Sequence, residues 1–500
     1  MKRIPRLLPI LKPFFGAKEK PLKMKKTLFG YCLGVLRKTF SQFTSRSAQH
    51  PRSLLMVACL CGALPAGALP VAETVIYSFA NTNASVTGGS PRCRLVVGSD
   101  GALYGVTDAF GKGSVNAGGT IFKINQDGSG FQVLHTFSDD PDGGMTISDV
   151  DVTLTLGTDH FLYGATFLGG DSELGTVYKL AEDGGSYQVL HRFDNSQNDR
   201  MPVATLLQAS DGWLYGMTTE GVIFKMNTNG GGYTVLTNAI EGTLSGLLEG
   251  HDGGIYGTTL ESVFKVNKDG SGYTTLHAFN GVDGSNTVGR LIQSTNDFLY
   301  GVAREGGSGF GSIFRVDTNG NNFQVVHNFN DGSFPGDGEF PQAGLAAGIG
   351  GFFYGTTING STNTGGTVFK INQDGSGYEL LSAFQQTPAT GGAPSAGLVQ
   401  GPVQGASGAM YGTTYSPLGT TRGAIYALIV SPPVSITPVV GQIGGQTLVS
   451  WPSWALNYVV QTTTNLSSPN WTTVTNGVPM ASLLVTNSSA QTYYRLVLPQ

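Results

Sequence analysis

The chain has 500 residues, 74 of them glycine, and only 12% are charged. Ordinary usage is about 7% glycine and about 25% charge. The formal charge of −4 hides an asymmetry: residues 1–68 hold 13 of the 29 Lys and Arg and one acid, Glu19, leaving 29 − 13 = 16 basic against 33 − 1 = 32 acidic side chains beyond. A body at roughly −16 excludes nucleic acid and anionic membrane surfaces as partners, since both need a basic face.

Residues 1–52 are basic and almost free of acids, and the apolar run Ser53–Leu64 and the small-residue triplet Ala66-Gly67-Ala68 follow. A basic segment, a short apolar segment and an A-x-A site predict a secretory leader over 1–68, cleaved near Ala68. The apolar run is too short to span a bilayer as a helix, so no transmembrane helix is expected in the mature chain. The unusual length of the basic segment fits an internal start at Met24 or an extended leader. A lipid anchor at Cys59 is the weaker alternative, because the usual leucine three residues earlier is absent. Cys93 is the one cysteine beyond the leader, which excludes an internal disulfide.

From residue 69 a phrase of the type Leu-Tyr-Gly-Thr-Thr recurs seven times, with its tyrosine at 104, 163, 215, 256, 300, 354 and 411. The step averages about 51 residues, a period that belongs to solenoids, propellers or arrays. In the first copy Arg94–Val97 reads as a short strand, Ser99-Asp100-Gly101 as a turn, and Ala102–Thr107 as a second strand. A glycine-rich loop follows. Thr120–Asn125 alternates apolar and polar, Gln126-Asp127-Gly128-Ser129-Gly130 is a hairpin turn, and Phe131–Phe137 is a fourth strand. Four short antiparallel strands make one propeller blade.

The ends predict how the ring closes. The seventh copy stops after its third strand, Ala424–Ile429, and an orphan with the fourth-strand pattern, Thr74–Phe79, precedes the first copy. Donated to the last blade, the orphan pairs both open edges. The expectation is an all-β chain: a seven-bladed β-propeller over 69–430, a linker at 431–437, and a small immunoglobulin- or fibronectin-like β-sandwich at 438–500, where short Val- and Thr-rich strands alternate.

The phrases Leu-Tyr-Gly-Thr-Thr, Gly-Thr-Val-Phe-Lys-Ile and Val-Leu-His-Thr-Phe resemble the GloVer-type tandem repeat of exported bacterial proteins, over roughly 73–430. That resemblance implies an extracellular or surface protein and carries over no catalytic residue. Blades three and four depart from the pattern, with short loops at Thr219-Glu220 and Leu260-Glu261. In the last 65 or so residues, Tyr458–Leu466, Trp471 and Tyr493-Tyr494-Arg495-Leu496 resemble a fibronectin type III-like module. Trp451, Trp454 and Trp471 are read there as core, with a sugar-stacking platform as the alternative.

The long, variable loops join the second strand to the third and one blade to the next, which places any site on the one rim they share. Its candidate binding residues are Asp108, Asp171, Glu173, Glu220, Glu261, Arg304, Glu305 and Arg422. The interblade loops add Asp194, Asp199, Asp283, Asp331 and Asp337, and the cluster Asp139, Asp140 and Asp142, a candidate Ca²⁺ site without EF-hand spacing. His135, His191, His277 and His327 share one repeat position. They therefore point to four different places and do not form a metal site. No nucleophile elbow, P-loop or paired-cysteine motif is present, so nucleotide and thiol chemistry have no support.

Three functions remain open. The first is a secreted or cell-surface scaffold that binds a glycan or surface component. The second is a polysaccharide hydrolase or lyase using a carboxylate pair such as Glu220 and Glu261. The third is a structural surface-layer spacer.

Overall fold

A computed structural model describes residues 73–79, 88–107, 118–137, 152–197, 199–237, 242, 245–332, 336–348, 351–360, 365–384, 393–394, 396–401, 408–415 and 422–430, together with the backbone of six strands between 439 and 497. The leader, Asp108, Asp139, Asp140, Asp142 and the three C-terminal tryptophans lie outside the described residues.

The repeat folds into seven sheets, each running from an inner strand a to an outer strand d. In blade 1 these are Val96–Val97, Leu103–Thr107, Thr120–Ile124 and Gln132–Thr136. Closure follows the expectation. The sheet of blade 7 runs Val399–Gln400, Gly408–Thr414, Ala424–Val430 and then Glu73–Ser78, with Tyr77 opposite Ile425. That register repeats the His135–Ile121 pair of blade 1, so the N-terminal strand is the fourth strand of the last blade.

The repeated glycine has a packing cause. Gly105 on strand b lies opposite Phe122 on strand c. A Cβ on Gly105 would stand 2.5 Å from Phe122 Cζ and 2.8 Å from Leu95 Cδ2. The ring of the third strand therefore reaches over a position that has no side chain, and in blade 1 Leu95 also borders that space. The tyrosine beside that glycine is buried, and its hydroxyl donates to the turn aspartate four residues back: Tyr104 to Asp100 at 3.1 Å, Tyr163 to Asp159 at 2.6 Å, Tyr215 to Asp211 at 2.7 Å and Tyr256 to Asp252 at 2.8 Å. Asp100 also accepts from the Ala102 amide at 2.9 Å, which fixes the turn.

Neighbouring blades lock through strand d. Each fourth strand carries a bulge, at Leu134 in blade 1 and Leu236 in blade 3. The Asp-Gly turn of the next blade packs on the bulged backbone: a Cβ on Gly270 would sit 2.6 Å from the Leu236 carbonyl oxygen, and Gly270 has φ +87°. Glycine is required there twice, for conformation and for room. An aromatic stack then covers the junction. His135 lies on Tyr187 with centroids 3.7 Å apart, His191 on Tyr233 at 3.8 Å, His277 on Phe323 at 3.4 Å, His327 on Tyr378 at 4.4 Å, and Tyr77 on Phe131 at 4.2 Å.

Two junctions differ. Between blades 6 and 7, Ser382 donates to Glu73 at 2.9 Å in place of a stack. Between blades 3 and 4, Thr237 holds the histidine position opposite Ile223, and Tyr273 is 38% exposed. Beyond the ring, two three-stranded antiparallel sheets form from Val439–Ile443, Gln446–Ser450 and Ser482–Val485, and from Thr472–Thr473, Val459–Thr463 and Tyr493–Val497.

Candidate functional site

The two loop sets do meet on one face. The Met201 amide donates to the Leu174 carbonyl at 2.8 Å, Leu260 to Gly242 at 3.1 Å, Gly307 to Val282 at 3.0 Å, Phe340 to Phe310 at 2.9 Å and Tyr415 to Ala393 at 3.0 Å. Each bond ties a b–c loop to an interblade segment, so the loops form a collar. The opposite face carries the tight Asp-Gly turns. Ser129, Ser271 and Ser376 there donate to Asp127, Asp269 and Asp374 and hold those exposed carboxyls below their ordinary range.

The candidate residues divide by environment. Glu220 is engaged: Arg200 Nη2 lies 2.9 Å and Nε 3.2 Å from its Oε1. Asp171 stands 3.5 Å from Arg192 and is largely exposed. Glu173 occupies a turn with φ +58° and is exposed. Glu305 is exposed and accepts at 3.5 Å from Asn286, beside the half-buried Arg304. The Arg422 carbonyl accepts from the Ser90 amide at 2.8 Å, and its side chain packs against Gly89, joining the N-terminal segment to blade 7. Glu261 is exposed, and among the described residues no hydrogen bond or ion pair joins it to Glu220.

Several interblade aspartates turn away from the rim. Asp199 and Asp337 are only 1% and 2% exposed. Asp199 accepts from the Tyr233 hydroxyl, Asp283 meets His277 Nε2 at 3.0 Å, and Asp337 meets His327 Nε2 at 3.0 Å. These acids strap each interblade loop back onto the stacked aromatic of its junction. Burial pulls the His191 imidazole down, an effect that Asp199 and Asp194 partly offset. The histidines therefore serve four separate junctions. Among the described residues, no three His, Cys, Asp or Glu side chains gather as a metal site.

Composition hid three features of the rim. Val282 is 77% exposed and Leu260 36%, both on the collar of blades 4 and 5. Phe310 and Phe340 pair at 5.7 Å on its blade 5–6 side. Arg92 also lies over the Tyr415 ring at 4.0 Å, a cation–π contact between segments 323 positions apart. Isolated Val and Leu residues in loops carry no periodic signal, and only the assembled collar shows them exposed together. Cys93 is buried, and its sulfur accepts from the Val106 amide at 3.1 Å. Among the described residues no helix is long and apolar enough to cross a membrane.

No curated protein matches the chain. Among solved structures it is similar to the extracellular domain of a hybrid two-component system from B. thetaiotaomicron, at 12% identity and TM-score 0.48, covering 86% of this chain and 56% of that one. It is also similar to the GH74 xyloglucanase from Xanthomonas campestris, at 11% identity and TM-score 0.46, covering 77% and 60%. The chain thus spans little more than half the length of these structures. The seven-copy phrase, the closed ring and a family match over residues 68–262 and 219–426 agree, and the chain belongs to the Gloeobacter/Verrucomicrobia repeat family.

Proposed function

We propose that this chain is an exported, surface-displayed binding scaffold whose collar recognises a glycan or another cell-surface component. The observation that carries the reading is the asymmetry of the two faces. One is a row of tight turns. The other, over its described residues, is a collar of loops tied to one another, with exposed Leu260 and Val282 on the same loops as Glu261, Arg304 and Glu305 or next to them. Exposed apolar groups rimmed by polar ones mark interaction surfaces. In this reading the basic leader and Ala66-Gly67-Ala68 direct export. The C-terminal sheets serve as a fibronectin-like attachment module, and Asp139, Asp140 and Asp142 add a calcium-dependent contact.

The test is binding of the full chain to a glycan panel and to whole cells, with and without chelator. Val282→Asp and Leu260→Asp should weaken capture by about tenfold or more, the loss expected when an apolar anchor is replaced by a charge. Loss on chelation would bring the aspartate loop into the site. If the folded chain binds no glycan and no cell surface, the reading fails and the spacer role takes its place.

A further inference from the structure

In blades 1 to 4 the buried tyrosine of strand b donates to its turn aspartate, and the lysine directly opposite it on strand c also finds an acceptor. Lys123 meets Asp100 at 2.5 Å and Lys265 meets Asp252 at 2.6 Å, the same carboxylates that take Tyr104 and Tyr256. Lys179 and Lys225 donate instead to the carbonyls of Thr228 and Lys268 in the next blade, at 3.2 and 3.0 Å. Blade 5 breaks the pattern at two positions. Its strands b and c are Phe298–Glu305 and Ser312–Asp317, and Tyr300 lies opposite Arg315, where blades 1 to 4 and blade 6 have lysine. Four residues before Tyr300 stands Asn296, where blades 1 to 4 have aspartate.

Asn296 Oδ1 keeps the turn bond, accepting from the Phe298 amide at 3.5 Å, and it also accepts from the Ser294 hydroxyl. Its other arm is Nδ2, a donor where aspartate offers a second acceptor. Tyr300 is 1% exposed, and its hydroxyl has no hydrogen-bond partner among the described residues. Arg315 gives Nη2 to Gln324 at 2.8 Å and lies 4.8 Å from the Phe298 ring centroid, but its Nε is buried and has no partner among them either. The acid that the Arg315 charge reaches, Asp374 on the blade 6 turn, is exposed and is held low first by Ser376; no hydrogen bond joins it to Arg315 among the described residues. Buried donors left unmade are costly, so the pair calls for an acceptor. A water accepts two donors but brings two hydrogens that need acceptors of their own. An anion accepts every donor and answers the guanidinium charge as well.

We propose that Tyr300 Oη, Arg315 Nε and Asn296 Nδ2 hold a chloride ion in the place that the turn carboxylate fills in blades 1 to 4. A monatomic anion suits the geometry, because the hydroxyl oxygen and Nε are both shut off from solvent and the group they lack is a single carboxylate oxygen. The site lies on the face of tight turns, opposite the collar, and it stands whether or not the collar binds a glycan.

The test is anomalous diffraction from crystals of the full chain grown in bromide, together with thermal unfolding in chloride, sulfate and gluconate at fixed ionic strength. Bromide should give a peak between Tyr300 and Arg315, and chloride should raise the unfolding midpoint saturably where gluconate does not. Asn296→Asp supplies the missing carboxylate at a turn position that carries one in four other blades. It should melt at least as high as the chloride-loaded parent and lose the chloride dependence. Tyr300→Phe should raise the apparent chloride Kd by about tenfold or more, from loss of a hydrogen bond to a charged acceptor. The proposal is overturned if bromide gives no peak at the site, or if chloride stabilises the parent no better than gluconate. It is overturned equally if Asn296→Asp keeps the full chloride dependence, and that variant decides the matter should Tyr300→Phe not fold. Stabilisation by sulfate and not by chloride overturns the choice of a monatomic ion.

Discussion

His327 and Asp337 meet at 3.0 Å with side chains only 4% and 1% exposed, beneath the Tyr378 ring on which His327 stacks. One contact thus closes the blade 5–6 junction and fastens the loop that feeds the collar. His327→Ala removes the stack and one of the donors to the buried Asp337 carboxylate, leaving it the Asn330 amide, and should cost about 1–3 kcal/mol. Thermal or urea unfolding of the variant should show that loss. Asp283 and His277, at 18–19% side-chain exposure, should lose clearly less when cut in the same way. Equal losses at the two junctions would contradict the burial argument.

Thr237 sits in the register slot that histidine fills in four other blades, facing a Tyr273 that is 38% exposed. Thr237→His should lay an imidazole on that ring and stabilise the chain by about 1 kcal/mol, the usual worth of an aromatic pair beyond its buried area. A rise in the denaturation midpoint with an unchanged slope is the expected signature. A fall would mean that the strand d backbone there does not present the side chain as its counterparts do.

Gly105 has no room for a methyl group between Phe122 and Leu95. Gly105→Ala should therefore destabilise by about 1–3 kcal/mol through overpacking, and Gly301→Ala should do the same because its neighbours are Phe314 and Leu291. Unfolding midpoints of the two variants measure it. A neutral outcome at both would show that the third-strand rings do not rest on these glycines.

Burial raises the Glu73 carboxyl above its ordinary value, and the Ser382 hydroxyl offsets part of that rise. With the folded value above the unfolded one, its contribution is fully present below about pH 4.3 and is lost as pH climbs through the raised folded value. The charged form is thus a burden on ring closure at neutral pH. Glu73→Gln, which keeps an acceptor for Ser382, should melt higher than the parent near pH 7, and the difference should vanish near about pH 4. Melting curves at the two pH values decide it, and a variant that is less stable near neutrality would show the ionised form to be the stabilising one.

The repeat, the blade count, the strands and the closing of the ring were all legible along the chain. Each rests on local chemistry repeated seven times: alternation, Asp-Gly turns, and the Leu-Tyr-Gly phrase whose glycine admits a ring from the neighbouring strand. Tyr77 and Phe79 were legible as a displaced fourth strand because they stand where His135 and Phe137 stand in blade 1. What the charged residues do emerges only once the blades are packed. Asp199 and Asp337 read as rim acids along the chain, yet they turn inward, because the histidines and tyrosines that receive them belong to strands brought close by bulges and blade packing. Glu220 is held by Arg200, 20 positions away.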